Sequence, residues 1–259
     1  MKKSTTPDTF LSVERALIIM KYLADRKIDV GVRELSRELG YSPPVTQKIL
    51  NTLKAHGFVR QDEDTDRYSL GLAALHVGQS VIARLDVVRI SKPYMEQLTA
   101  ETQETTFLAI RDGNHIVYVD KIPSPNAIRM DAEVGAIRPL NCTAVGKALL
   151  AWGPPELLTD AAASGAFVKA TPNSITDPKV LEQELQQTRE RGYALDMREF
   201  NPEGICIAAP IFSQSGCVIA SITTSGLASR MEGNLERFSQ LVIDAATKIS
   251  TQCGYIAPD

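Results

Sequence analysis

The tightest constraint in this chain is a pair of short amphipathic segments with almost nothing between them. Val32-Arg33-Glu34-Leu35-Ser36-Arg37-Glu38-Leu39 turns Val32, Leu35 and Leu39 to one side at helical spacing, and Gly40 supplies the left-handed residue that ends a helix. After Gly40-Tyr41-Ser42 a second helix is predicted from Pro43 to Ala55, with Ser42 as its cap and prolines only in its first turn. Val45, Ile49 and Leu53 lie on one face of it, and Gln47, Lys48, Asn51 and Lys54 on the other. Two short helices on a three-residue glycine turn, the second with a donor-rich face, read as a helix-turn-helix.

The flanks strengthen that reading. Upstream, Ser12 is a reasonable cap for a helix that turns Val13, Ala16, Leu17, Met20 and Leu23 inward. Downstream, Gly57 closes the second helix and Phe58–Gln61 begins a strand. The charged loop Asp62–Asp66 follows, and Arg67-Tyr68-Ser69-Leu70 returns as a partner strand, the pattern of a wing. The whole chain carries −3, from 28 basic and 31 acidic residues, which alone argues weakly against a nucleic-acid partner. The balance is uneven, however: residues 1–75 hold 12 bases against 10 acids, and no acid occurs between Glu38 and Asp62, where Lys48, Lys54 and Arg60 lie. An acid-free basic stretch over the second helix is what a phosphate-facing surface requires. Ser42, Thr46, Gln47, Lys48, Asn51, Lys54 and Arg67 are the candidate DNA contacts, Gln47 and Asn51 being suited to the edge of adenine.

Residues 1–71 are therefore expected to form the DNA-binding domain. Charge-poor residues 72–85 form a connector helix suited to packing against a partner, and residues 86–259 form a second domain. There, the Ser91-Lys92-Pro93 step precedes a helix from Tyr94 to Thr102. Thr106–Arg111 and His115–Asp120 alternate about an Asp-Gly turn as a hairpin, and Ile128-Arg129-Met130 is a further expected strand. Thr143 caps a helix from Ala144 to Ala151, and Asp177-Pro178 starts another over Lys179–Arg191, stopped by Gly192. Strands are expected over Gly204–Ile211 and Cys217–Thr224, then a last helix burying Leu235, Phe238, Leu241, Val242 and Ala245. Hairpins bracketed by helices, with no βαβ rhythm, indicate an antiparallel sheet covered by helices, so the fold class is α+β.

Catalytic and metal patterns fail in turn. Gly146-Lys147 lacks the other residues of a phosphate-binding loop, no serine sits in a G-x-S-x-G elbow, and no metal-ligand cluster or cofactor motif occurs. Cys142, Cys206, Cys217 and Cys253 are irregularly spaced, which fits reduced thiols rather than a disulfide framework or a zinc site. The rival to a binding protein is a small-molecule enzyme that kept a helix-turn-helix, with Cys206 as nucleophile and His115 as the one base left to partner it. Asp196 and Glu199 read as a solvated strand end rather than a catalytic pair. No apolar run approaches the ~20 residues that span a bilayer, and the basic start lacks an apolar stretch behind it, so a cytoplasmic protein without a membrane partner is expected.

The residues resemble the isocitrate lyase regulator (IclR) family of bacterial transcription regulators over nearly the whole chain. The likeness rests on Val13-Glu14-Arg15-Ala16-Leu17, Arg67-Tyr68-Ser69-Leu70-Gly71, and Arg138-Pro139-Leu140 followed by Thr143-Ala144-Val145-Gly146-Lys147-Ala148-Leu149-Leu150-Ala151. Gly192-Tyr193-Ala194-Leu195-Asp196, Cys206-Ile207-Ala208-Ala209-Pro210, and Ser225-Gly226 with Ser229-Arg230 complete it. The resemblance implies an N-terminal winged helix-turn-helix, a linker helix and a C-terminal GAF-like domain, and no catalytic residue. It also implies a homodimer or homotetramer on a pseudo-palindromic double-stranded operator, and a small organic or aromatic acid as effector. Carried over, the effector pocket comprises Ala144, Val145, Asp196, Cys206, Thr223 and Ser225, with Met130 beside them. Three departures stand out: the second helix has Pro43-Pro44-Val45 where relatives often carry a Ser-Thr pair and Lys48 where arginine is usual, Gly204 lies one residue later than the glycine often seen before the cysteine, and Arg138 stands where the family is usually apolar. Arg138 either reaches inward to pair with an anionic effector or extends to the surface.

Overall fold

The computed structural model describes residues 10–26, 28–82 and 85–256. They fall into two compact units that divide between Arg84 and Leu85. The predicted linker over 72–85 includes Ala83 and Arg84, which lie outside the described residues, as does the basic start of the chain.

The first unit contains α1 (Leu11–Ala24), α2 (Val32–Leu39), α3 (Pro43–Ala55), β1 (Val59–Gln61), β2 (Tyr68–Leu70) and α4 (Leu72–Ile82). Gly40 ends α2 at φ 68, so the turn chemistry is as the glycine requires, and Ser42 caps α3 through its backbone without its side chain accepting a bond. β1 and β2 pair antiparallel, and Val30 bridges to Tyr68 through two backbone hydrogen bonds of 2.9 Å, which ties the wing to the chain before α2. Ile19, Leu23, Leu35, Leu50, Val59 and Tyr68 form the core. The face expected of α1 is only partly right: Val13 and Leu17 are 56% and 54% exposed, and Ile19 takes the buried place. The helix also starts at Leu11 behind Phe10, so Ser12 is not its cap. Because apolar residues occur on several sides of this segment, its own periodicity does not single out the buried stripe.

The second unit contains α5 (Asp86–Thr102), β3 (Thr105–Asp112), β4 (His115–Ile122), β5 (Ile137–Pro139), α6 (Ala144–Ala151), α7 (Glu156–Ala163), α8 (Pro178–Arg191), β6 (Ala194–Met197), β7 (Gly204–Phe212), β8 (Val218–Leu227), α9 (Ala228–Met231) and α10 (Leu235–Gln252). The strands form one antiparallel sheet in the order β5-β4-β3-β8-β7-β6. Alternation splits the longer strands between two cores. Leu108, Ile205, Ile207, Ala209, Ile211 and Ile222 pack with Met95, Leu98, Phe238, Val242 and Ile249 of α5 and α10. Phe107, Ala109, Ile116, Tyr118 and Ala208 pack on the other face with Val145, Ala148 and Leu149 of α6 and Leu181 and Leu185 of α8. This is the expected α+β architecture, a helix-covered antiparallel sheet.

Several elements differ from expectation. α5 runs unbroken through Pro93, which sits on its exposed face, where water can replace the hydrogen bond the ring removes. Ile128–Met130 is loop rather than strand; the Met130 carbonyl accepts from the side-chain hydroxyl of Thr105 (2.7 Å) instead of from a strand's backbone amide. β5 and α7 were not expected, β6 was foreseen only as a strand end at Asp196, and each is short enough that long-range pairing or packing decides it.

Candidate functional site

The α3 surface is the first candidate. Lys48, Asn51, Thr52 and Lys54 are exposed, and neither α3 nor β1 carries a carboxylate. Gln47 is half-buried and pre-oriented: its amide nitrogen donates to Asn51 Oδ1 (2.8 Å) and to the Tyr68 hydroxyl (3.0 Å). Lys54 Nζ donates to Gln61 Oε1 (2.8 Å), linking the helix to the wing. Arg67 is held as well, donating to the Asp29 carbonyl (2.8 Å) with Glu34 at 3.7 Å, so it ties the wing to α2. Ser42 is exposed at the helix start, whereas Thr46 is not available to DNA. Thr46 is fully buried and its hydroxyl accepts from Ser36 Oγ (2.9 Å), joining α2 to α3. The expectation that placed it among the contacts is corrected: position 46 belongs with Ile49, Leu50 and Leu53 on the inner face of the helix. Arg60, on the exposed side of β1, adds a cation at the wing by donating to Ser69 Oγ (2.8 Å).

The second candidate is a cavity of about 210 Å³ in the second unit. Strand register builds its floor. Asp196 faces Cys206, Cys206 faces Ser225 and Ser225 faces Thr105, which sets one residue from each of β6, β7, β8 and β3 in a row. Two residues along β8, Thr223 faces Phe107, so Thr223 and Ser225 share the cavity side. Ala144 and Val145 close one end, at the start of α6, where Thr143 caps the helix by accepting from the Gly146 amide (3.1 Å). The first-turn amides ahead of it have no partner inside the helix. Gly146 lets this helix start approach closely, because a Cβ there would lie 2.4 Å from the Leu140 carbonyl oxygen. Met130 lies over the other end against Gly204.

All eight residues expected of a pocket (Met130, Arg138, Ala144, Val145, Asp196, Cys206, Thr223 and Ser225) line this one cavity. Phe107, Tyr118, Phe200 and Asn201 line it too and were not expected. Phe107 and Tyr118 stack with centroids 4.6 Å apart, and their alternation on β3 and β4 was the only signal that they share a face. Arg138 is half-buried, with its guanidinium 6.0 Å from the Tyr118 ring and 5.4 Å from the Phe200 ring. It donates only to the adjacent Ile137 carbonyl (2.8 Å), and no carboxylate pairs with it among the described residues.

Asp196 and Glu199 are buried, not a solvated strand end. Asp196 Oδ1 accepts from the Glu199 (2.7 Å) and Phe200 (3.3 Å) amides. Burial nevertheless pushes its carboxyl up to about 7, with the Glu199 charge adding to the rise while the amide donors and Lys147 oppose it. Burial also raises the Cys206 thiol far above its ordinary value, as does the neighbouring Asp196 charge. A nucleophilic thiol needs the opposite environment. His115 lies at the far end of the sheet: it pairs with Asp112, seven positions along β3 from the Thr105 that faces Ser225, or about 23 Å at ~3.3 Å per residue. A Cys206–His115 dyad is therefore not formed. The four cysteines are free thiols, and no group of metal-holding side chains occurs among the described residues. No helix there is long and apolar enough to cross a membrane.

Comparison with known proteins bears on both sites. Residues 79–251 match the family described as the bacterial transcriptional regulator IclR C-terminal domain, and residues 12–63 match the IclR helix-turn-helix domain. The chain is 34% identical to the HTH-type transcriptional regulator KdgR of Escherichia coli (strain K12) over 251 residues, 96% of this chain and 95% of that protein. The crystal structure of the Thermotoga maritima IclR superposes with a TM-score of 0.77 at 31% identity, covering 94% of this chain and 99% of the other. An IclR homolog from Microbacterium hydrocarbonoxydans, crystallised with 4-hydroxybenzoate, shares the fold at a TM-score of 0.82 and 20% identity, over 93% of this chain and 98% of the other.

Proposed function

The chain belongs to the IclR family of bacterial transcriptional regulators, and from that premise we propose that it controls a catabolic operon by binding operator DNA in response to a small organic or aromatic acid held in the cavity of its second unit. In this reading residues 1–71 bind DNA, residues 72–85 link, and residues 86–259 bind the effector. Lys48, Lys54 and Arg60 supply phosphate affinity, with Ser42 beside them and Arg67 fixing the wing. Gln47 and Asn51 read base edges, their amides held in place by each other and by Tyr68.

The observation that carries the effector half is the composition of the cavity. Its anion-favouring groups are the open first turn of α6 and an Arg138 guanidinium that no carboxylate of the described residues neutralises. An acid there would sit with its carboxylate toward Arg138 and the amides of Ala144 and Val145. Its remaining polar atoms would face Asp196, Cys206, Thr223 and Ser225, and Met130 would cover it. Self-association is supported by α4, which buries none of its eleven residues while Leu72, Leu75, Val77 and Val81 stand exposed. A homodimer or homotetramer on a pseudo-palindromic operator, in the cytoplasm, follows from this reading. The effector acts by binding two arrangements of the assembly unequally, since equal affinity shifts nothing.

A thermal-shift screen of the full chain against benzoate, 4-hydroxybenzoate, gluconate and related acids tests the proposal. An acid at 100 times its Kd adds about 2.7 kcal/mol, a readily measured rise in Tm. The same acid should change operator affinity. If no acid among them moves Tm, or if the one that binds leaves operator affinity unaltered, the acid-effector reading is wrong.

A further inference from the structure

The helix that opens onto the cavity with Ala144 carries a fully buried cation one turn later. Lys147 is 1% exposed, and its ammonium donates to Glu199 Oε1 (2.5 Å) and Glu184 Oε1 (3.3 Å); Glu184 also accepts from Arg191 (2.7 Å). Two cations and two carboxylates thus form a neutral cluster joining α6 to α8, buried at Lys147 and Glu199 and partly exposed at Glu184 and Arg191. A buried cluster of this kind is rarely more stabilising than apolar packing of the same volume, so its presence calls for another account.

That account lies in the segment Glu199 belongs to. Residues 198–201 bend through Arg198 at φ 62, and they bring Phe200 and Asn201 to the cavity wall. Their amides fix the Asp196 carboxylate, and the Phe200 ring carries the Arg138 guanidinium. The segment's backbone is held from one side, where the Thr171 and Ser174 hydroxyls donate to the Glu199 carbonyl (2.9 and 2.7 Å). Two side chains anchor it further: Arg198 donates to Glu232 Oε1 (2.6 Å) on the exposed side, and inside the unit Glu199 Oε1 accepts from Lys147, with the Met197 amide at 3.5 Å, while Glu199 Oε2 has no partner among the described residues.

We infer that Lys147 is a positioning residue of the effector pocket: by holding Glu199 it keeps residues 198–201 in the one arrangement that orients Asp196 and stacks Phe200 against Arg138. The inference rests on the reading of this cavity as the effector site. Lys147 touches no effector; its influence passes through Glu199 to the two charged groups that do. The other titratable groups that bear on Glu199 are Glu184, Asp196, Cys142 and Cys206, none of them a second cation that could take over the anchor.

The test compares Glu199→Gln, whose amide oxygen still accepts from Lys147, with the double variant Lys147→Met/Glu199→Gln, which removes the anchor without stranding a charge. Hydrogen exchange of the full chain is the readout that a merely structural role would not move. The amides at positions 199 and 200 are expected to exchange at least tenfold faster in the double variant than in the single one, while the amides of β6 and β7 keep their rates. Affinity for whichever of 4-hydroxybenzoate, benzoate and gluconate binds the wild type should fall at least tenfold alongside. Glu199→Ala, which leaves Lys147 paired with Glu184, should loosen the same two amides and serves if the double variant does not fold. Unchanged protection at 199 and 200, or faster exchange shared evenly with β6 and β7, overturns the inference. Failure of all three acids to bind the wild type overturns the acid-effector reading instead, and the exchange comparison still decides the role of Lys147.

Discussion

Asp196→Asn isolates the most heavily perturbed carboxylate near the cavity. Asp196 is 3% exposed and held up to about 7 by burial, against an ordinary value near 3.8. Below about pH 4 the group is protonated whether the chain is folded or not, and it contributes nothing. Between about 4 and 7 the unfolded chain gives up the proton while the folded chain keeps it, so folding takes up a proton and stability falls as pH rises. Above about 7 both states are ionised and the whole penalty is present. At 1.36 kcal/mol per pH unit the interval amounts to about 4 kcal/mol. The asparagine keeps an oxygen for the Glu199 and Phe200 amides and has no proton to exchange, so its stability lacks this slope. Urea unfolding at pH 4.5, 6 and 7.5, followed through Trp152, the single tryptophan and a residue of the same unit, measures the difference. The variant should gain on the wild type steadily across the series, by several kcal/mol in total, with Glu199 and Lys147 common to both chains. Parallel curves would mean that Asp196 titrates near its ordinary value, and the argument from burial would be refuted.

The remaining expectations concern the pocket, the helix that closes it and the DNA face. Arg138→Leu should weaken the acid that stabilises the wild type by about tenfold to a hundredfold, as loss of a hydrogen bond to a charged group at ~1.5–3 kcal/mol implies, with little change in Tm; calorimetric titration measures it. Gly146→Ala presses a methyl group against the Leu140 backbone, within 2.4 Å of its carbonyl oxygen, and should destabilise the second unit by at least ~1–3 kcal/mol in the same urea experiment. Lys48→Ala should lower operator affinity for all sequences alike and reduce the salt slope of binding by about 1 for each phosphate the lysine neutralises, whereas Asn51→Ala should relax base preference at one position with the slope unchanged; anisotropy titrations across salt and operator variants separate the two.

The DNA-binding unit was legible because its punctuation is local. Gly40 in the left-handed region, prolines at the start of α3 and the break at Gly57 act on the backbone wherever they occur, and α2 and α3 begin and end where those residues demand. What local pattern did not convey was which side of each helix faces in. Val13 and Leu17 are as apolar as Ile19, and only the packing of α1 against α3 and β2 leaves them outside. Thr46 errs the other way: a hydroxyl on a polar-looking turn is buried because Ser36 of α2 offers it a partner. Pro93 and α7 follow the same rule. A proline on a solvent face need not end a helix, and eight residues that bury only Leu157 and Ala161 have too thin a stripe to announce themselves.

The cavity was legible only through motif likeness, and the physical reason is its construction from register. Asp196, Cys206 and Ser225 are separated along the chain and meet because β6 pairs with β7 and β7 with β8; a one-residue slip would send every one of them to the opposite face. No local periodicity marks that row, since β6 is four residues long and its aspartate looks like a strand end. The same blindness hid Lys147. In sequence, Gly146-Lys147 is a fragment of a phosphate loop that fails; in the fold, the glycine lets α6 start against Leu140, and the lysine reaches across to Glu199 and Glu184. One dipeptide thus sets the approach of the helix that closes the cavity and anchors the segment that lines it. Substitutions at 146 and 147 should therefore part company. The glycine change acts through global stability, while the lysine change, made with its partner neutralised, acts on amides at 199 and 200 and on acid affinity. Equal losses of both kinds at both positions would show that α6 is packing alone.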